Sequence, residues 1–279
     1  MTPTIHYDHA GGVHTWLPLT ALAALVGAYL WLAARRRKEP KGWNPWRTAS
    51  ITTGLALLGA ALTGPIAVLA VTDFRGHMLQ HLLIGMLAPL ALVLGAPLTL
   101  LLRSVPPARA RRMTAVLRSR AFHLSANPWT ALALSVGGMV ALYCTPLYRI
   151  ASAATAAHHA MHLHFLAAGY LFAWVIAGPD PAPRRPGVLL RLVVMGVAVA
   201  VHATLSQLMY AGLLIDVHVP LNQLRGAGEL MYYGGDIAEL LLTFALVSTW
   251  RPAGRTVLAP PGPASSRTRP LTSTEGQSQ

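Results

Sequence analysis

Apolar residues run through this chain in seven long blocks, each separated from the next by a short polar or basic stretch. The blocks extend from about Thr15 to Ala34, Thr48 to Ala70, Arg75 to Leu102, Pro128 to Tyr148, Ser152 to Ala177, Val188 to Gly212 and Glu229 to Trp250. Each reaches or exceeds the roughly 20 residues an α-helix needs to cross a bilayer. The pattern predicts an all-α integral membrane bundle of seven transmembrane helices. Pro65, Pro89 and Pro97 fall inside these blocks, where proline kinks a membrane helix without ending it. Asn127-Pro128 reads as an N-cap followed by proline at the first helical position, and opens the fourth span. The stretch from Gly178 to Pro186 is rich in turn residues. Residues 1–14 form a polar N-terminal segment, 15–250 the membrane domain, and 251–279 a tail too polar to bury anything, expected to be disordered. No internal repeat is present.

Composition agrees with this reading. Of 279 residues, 54% are hydrophobic and 11% charged, so the chain is built for lipid rather than for a soluble core. A net charge of +13 would suggest nucleic acid in a soluble protein, but the basic residues sit in short loops between apolar blocks and carry topology information instead. With the N-terminus outside, inner segments hold 19 of the basic residues and outer segments three, Arg75, Arg149 and Arg225. The positive-inside rule therefore puts the N-terminus outside and the C-terminus inside. Ser104 to Ala126, with Arg109, Arg111, Arg112, Arg118 and Arg120, is expected as a short helix on the anionic inner membrane surface. The polar start carries no lysine or arginine, which argues against a cleavable signal peptide. One cysteine, Cys144, excludes an internal disulfide framework and a CxxC metal box.

Against this apolar background the histidines stand out. His158, His159, His162 and His164 fall within seven positions of the fifth block, where an ionisable side chain marks a functional site unless some partner satisfies it. At 100° per residue, His158, His159 and His162 share one helix face and His164 points away. His162 lies roughly 15 Å into its helix from the outside. His77 and His81 are four positions apart, so they too share a face, and His202 reaches a similar depth from the inner end of the sixth block. The candidate metal ligands are His77, His81, His158, His162, His202 and His164, with Met78 and Met161 beside them. Imidazole suits Zn, Cu, Fe and Ni, and the thioethers tilt the choice towards Cu(I). Asp236 and Glu239 enter from the outer end of the seventh block and would orient histidines from behind. Nearly all of this chemistry lies in the outer half of the bundle, so the site should open outward.

Each feature has a plainer account. His77 and His81 can bond headgroups or carbonyls as interfacial residues, His164 and His202 can be interhelical donors, and methionine is an ordinary gap-filler. Two other functional classes stay open. One is a zinc-dependent lipid hydrolase with Asp236 or Glu239 as base, although no HExxH motif supplies one. The other is a haem or proton-coupled membrane protein. An iron desaturase fits poorly, because its histidine boxes come in threes and face the cytoplasm.

The third block, from Gly76-His-Met-Leu-Gln-His81 through Ala88-Pro-Leu-Ala-Leu-Val-Leu-Gly-Ala-Pro97 to Arg103, closely resembles the signature of the polytopic CtaG family. These are membrane assembly factors for haem-copper (caa3-type) cytochrome c oxidase. The resemblance continues in Met161 to Phe172, in Val201-His202-Ala203 and in Gly226 to Met231, and spans about residues 50–250. It implies a metallochaperone-like role rather than an enzymatic one: copper bound transiently and supplied to the oxidase on the outer face of a bacterial plasma membrane. The partners implied are oxidase subunits and an extracytoplasmic copper donor, with no nucleic acid. The family's histidine positions correspond to His77, His81, His158, His162, His164 and His202. Two departures stand out. Tyr143-Cys-Thr-Pro146 replaces a segment with histidine before the proline, which brings Cys144 forward as a soft substitute, and Asn222 replaces an acidic residue before Gln223.

Overall fold

The computed structural model describes residues 13–40, 42–182 and 185–248. Those residues form helices and no strand. The first helix, α1 (Val13–Arg37), ends on Arg35, Arg36 and Arg37, cations that suit the negative end of the helix dipole. In α2 (Pro45–Leu62), Asn44 Oδ1 accepts from the amide of Trp46 and proline takes the first position, the N-cap arrangement that supplies an orphan donor with a partner. The second apolar block is not one straight helix. It bends by 45° into α3 (Gly64–Thr72), because Thr63 is extended and Gly64 turns left-handed at φ 68° ahead of Pro65.

The third span, Phe74–Ser104, is the centre of the bundle and contacts α2, α3 and two of the later long helices, those of residues 155–177 and 221–248. It has three parts, α4 (Phe74–Leu82), α5 (Ala88–Leu94) and α6 (Pro97–Ser104), with a π-turn at Leu83–Leu87 between the first two. Pro89 accounts for the turn. It has no amide hydrogen for the carbonyl of Gly85, and its ring crowds that carbonyl; the helix widens by one residue, and the amide of Ala88 reaches back to Leu83 O. A second break follows at Ala96, left-handed at φ 50°, so α6 begins with its amides unpaired by the preceding turn. Asp180, itself buried, supplies the missing acceptors: its carboxylate takes hydrogen bonds from Leu98 N (3.1 Å), Thr99 N (2.7 Å) and Thr99 Oγ1 (2.5 Å). Tyr29 Oη donates to the carbonyl of Gly95 at the same break (2.7 Å) and accepts from Trp43 Nε1 (3.2 Å), fixing α1 to it.

The basic connector forms two short helices rather than one, α7 (Pro107–Leu117) and α8 (Arg120–Ser125). The fourth span comprises α9 (Pro128–Leu132), a second π-turn at Ala133–Gly137 and α10 (Gly138–Cys144). The chain then turns by 84° at Pro146 into α11 (Leu147–Ala153), so the fourth block ends earlier than its hydropathy suggests. The fifth and sixth spans are α12 (Thr155–Ala177) and α13 (Val188–Ala211). The last helix, α14 (Leu221–Ser248), starts eight residues before the apolar block, taking in Asn222, Gln223 and Arg225. Gln223 Oε1 accepts from the amide of Phe74 (3.1 Å) and Arg225 stacks over Tyr210, so tertiary partners hold that polar turn in the helix.

Four helices are long and apolar enough to cross a membrane: Phe74–Ser104, Thr155–Ala177, Val188–Ala211 and Leu221–Ser248. Counting α2 with α3 and Pro128–Cys144 with α11 as broken spans raises the number to six among the described residues. Leu189, Val193, Ile237, Leu240 and Phe244 project outward from α13 and α14, as lipid-facing residues should. The N-terminal segment with His6 and His9, the side chain of His14, and the tail from 251 onward lie outside the described residues.

Candidate functional site

The candidate ligands of α4 are both buried, in different surroundings. Asp73 caps the helix, accepting from Arg75 N (2.8 Å), and the Arg75 guanidinium donates to both carboxylate oxygens. These bonds hold the Asp73 carboxyl below the ordinary carboxylate range. One turn on, His77 sits in an aromatic box. It stacks on Phe74 at 5.5 Å and meets Tyr148 edge-on at 4.9 Å, while its Nε2 lies 3.3 Å from Tyr143 Oη. His81 turns another way. Its ring packs edge-on against Phe165 at 4.4 Å, and its Nδ1 is buried with no partner.

On α12, His158 and His162 meet, with ring centroids 4.4 Å apart, and both are half-buried. His159 is exposed. So is His164, which lies beside Gly138 of α10 rather than with the pair. His81 and His202 line the same cavity, while His77 faces Tyr143 and His158 meets His162. Even so, among the described residues no three His, Cys, Asp or Glu side chains are grouped closely enough to hold a metal ion. Met78 and Met161 are buried in the same apolar cluster as Tyr143 and Phe165.

Below His81 lies a cavity of about 50 Å³. His81, Gly85, Met86, Ser135, Met139, Phe165, His202 and Glu239 contribute to its wall, so both π-turns border it. π-turns inside α-helices recur at functional sites, where the extra residue re-aims neighbouring side chains. His202 Nδ1 stands 3.6 Å from Glu239 Oε1, an ion-pair separation too long for a hydrogen bond. Gly235 makes room for the imidazole, since a Cβ there would come within 1.9 Å of His202 Cε1. Besides His81 Nδ1, the buried atoms His202 Nε2 and Glu239 Oε2 have no hydrogen-bond partner.

Glu239, set behind the histidines by sequence reasoning, stands beside His202 Nδ1 and also forms part of the cavity wall. Asp236, a turn earlier, is half-buried and outside that wall. Met86, Met139 and Ser135 were missed; Pro89, which forces the first π-turn, was the available signal. Cys144 lines a shallow apolar groove with Val140, Thr204 and Leu208, not the cavity.

The architecture is that of a polytopic helical membrane protein with a histidine-lined interior. A family model described as cytochrome c oxidase caa3 assembly factor (Caa3_CtaG) matches residues 27–253, and the chain belongs to that family. An uncharacterised protein of Mycobacterium bovis is 36% identical over 167 residues, covering 57% of this chain and 25% of the relative. A Mycobacterium tuberculosis protein, also uncharacterised, matches to the same extent, and one from Mycobacterium leprae is 30% identical over 191 residues, 66% of this chain and 29% of the relative. The chain therefore spans little more than a quarter of the length of these relatives. No solved structure matches.

Proposed function

We propose that this protein is a bacterial plasma-membrane assembly factor that carries copper in transit to haem-copper cytochrome c oxidase. In this reading α1 is a seventh span, the N-terminus is outside and the C-terminus inside, an orientation that the 19-to-three distribution of basic residues supports. Oxidase assembly follows from family membership. The observation that carries the copper part is the pairing of His158 and His162, half-buried near the start of α12, which is its outer end in this reading. Two imidazoles at this spacing form an entry point that an extracytoplasmic donor can load, and Met78 and Met161 are soft thioethers close in sequence to the ligands. A carrier makes and breaks no substrate bond, so the site needs exchangeable donors rather than a general base.

The test is complementation of a strain lacking the protein. His77→Ala and the double variant His158→Ala/His162→Ala should insert normally yet leave the purified oxidase deficient in copper and activity. Oxidase with full copper in both strains would exclude the reading.

A further inference from the structure

We propose that the cavity walled by the third to seventh spans is a second, internal site for one soft monovalent cation, bound by His81 Nδ1, His202 Nε2 and a thioether of Met139 or Met86, and neutralised by Glu239. The inference rests on the copper-carrier reading for the identity of the ion, and on the cavity for everything else.

Three buried polar atoms without partners form the first observation. His202, Glu239 and His81 are 3%, 5% and 7% exposed, and one atom of each is unpaired. An orphaned buried polar atom destabilises a fold by about 1–3 kcal/mol, so three around one cavity call for an occupant. The second is position. Glu239 Oε1 faces the Nδ1 side of the His202 ring at 3.6 Å, and the unpartnered Nε2 is the other ring nitrogen.

Charge and softness then select the ion. No lysine or arginine lines the cavity, so the Glu239 carboxylate has no fixed counter-charge there. A monovalent cation paired with the ionised form of Glu239 leaves the site neutral, whereas a divalent one leaves a net positive charge in a low-dielectric interior. No three His, Cys, Asp or Glu side chains among the described residues are grouped to hold an ion. The wall also offers sulfur, from Met86 and Met139, and imidazole with thioether is a soft set that suits Cu(I). A volume of about 50 Å³ admits an ion. His77 is not part of this site, because Tyr143 engages its Nε2.

The experiment titrates the full chain in detergent with Ag(I), a redox-stable analogue, and with Cu(I) under ascorbate against a chromogenic chelator. The outer variant His158→Ala/His162→Ala should retain one equivalent. His202→Ala should lose it, Glu239→Gln should weaken it by about 10–100-fold, and X-ray absorption should report nitrogen with sulfur, the sulfur falling in Met86→Leu/Met139→Leu. Glu239→Gln and the methionine variant preserve side-chain volume and decide the matter if His202→Ala does not insert. Unchanged binding in both, or complete loss in the outer variant, would overturn the site; Zn(II) displacing Ag(I) one for one would overturn its monovalent character. Intact oxidase maturation in the outer variant would defeat the delivery reading alone and leave this site standing.

Discussion

At the scale of single residues, what was legible in the sequence was which side chains are out of place, and what was not was where each one turns. The spacing of His77 and His81 put both on one face of α4, and both are buried. Spacing carries no information about neighbours, however, so it could not separate the aromatic box of His77 from the cavity of His81. His158 and His162 pair as their four-residue interval suggests, while His159, assigned to the same face, remains exposed. Gly235 looks unremarkable in sequence and is required by geometry. Gly235→Ala should displace His202 and destabilise the protein by about 1–3 kcal/mol, the usual result of overpacking; thermal unfolding in detergent measures this. Asp180 offers a second test. Asp180→Ala removes three hydrogen bonds to a buried carboxylate and should lower stability by about 1–3 kcal/mol, with Asp180→Asn retaining part of the loss.

At the scale of elements, the long apolar helices were legible because a bilayer demands uniform hydrophobicity over a known length. Their interruptions were not. In a block that is apolar on every side, an extra residue per turn leaves no trace in the pattern, so neither π-turn could be read from periodicity, and Pro89 alone hinted at one. The bend at Thr63 was signalled by Pro65, whereas the one at Pro146 was hidden inside a block that looked continuous. The first π-turn brings Gly85 against α12, where a Cβ on Gly169 would lie 1.9 Å from Gly85 O. Gly169→Ala must therefore push the third and fifth spans apart. It should lower the melting temperature and, because both helices wall the cavity, weaken Ag(I) binding as well; a variant that melts and binds like the parent would show that the two helices can slide without consequence.

At the scale of the whole molecule, orientation rests on charge. With Cys144 replaced by serine, a cysteine at exposed His218 should react with a membrane-impermeant maleimide in intact spheroplasts, and one at Arg118 should react only after lysis. The reverse pattern would place the histidine pair on the cytoplasmic side. Asp180 has a further consequence at this scale, for biogenesis. The residue that completes the start of α6 is synthesised 82 positions after Leu98, beyond α7 to α12. Until the α12–α13 loop is made, a nascent third span lacks the carboxylate to which the amides of Leu98 and Thr99 donate, and it is expected to settle only afterwards. Insertion of this protein is thus not strictly sequential: its central helix is finished late, and ribosome-arrested chains cut just before residue 180 should hold α6 at the interface.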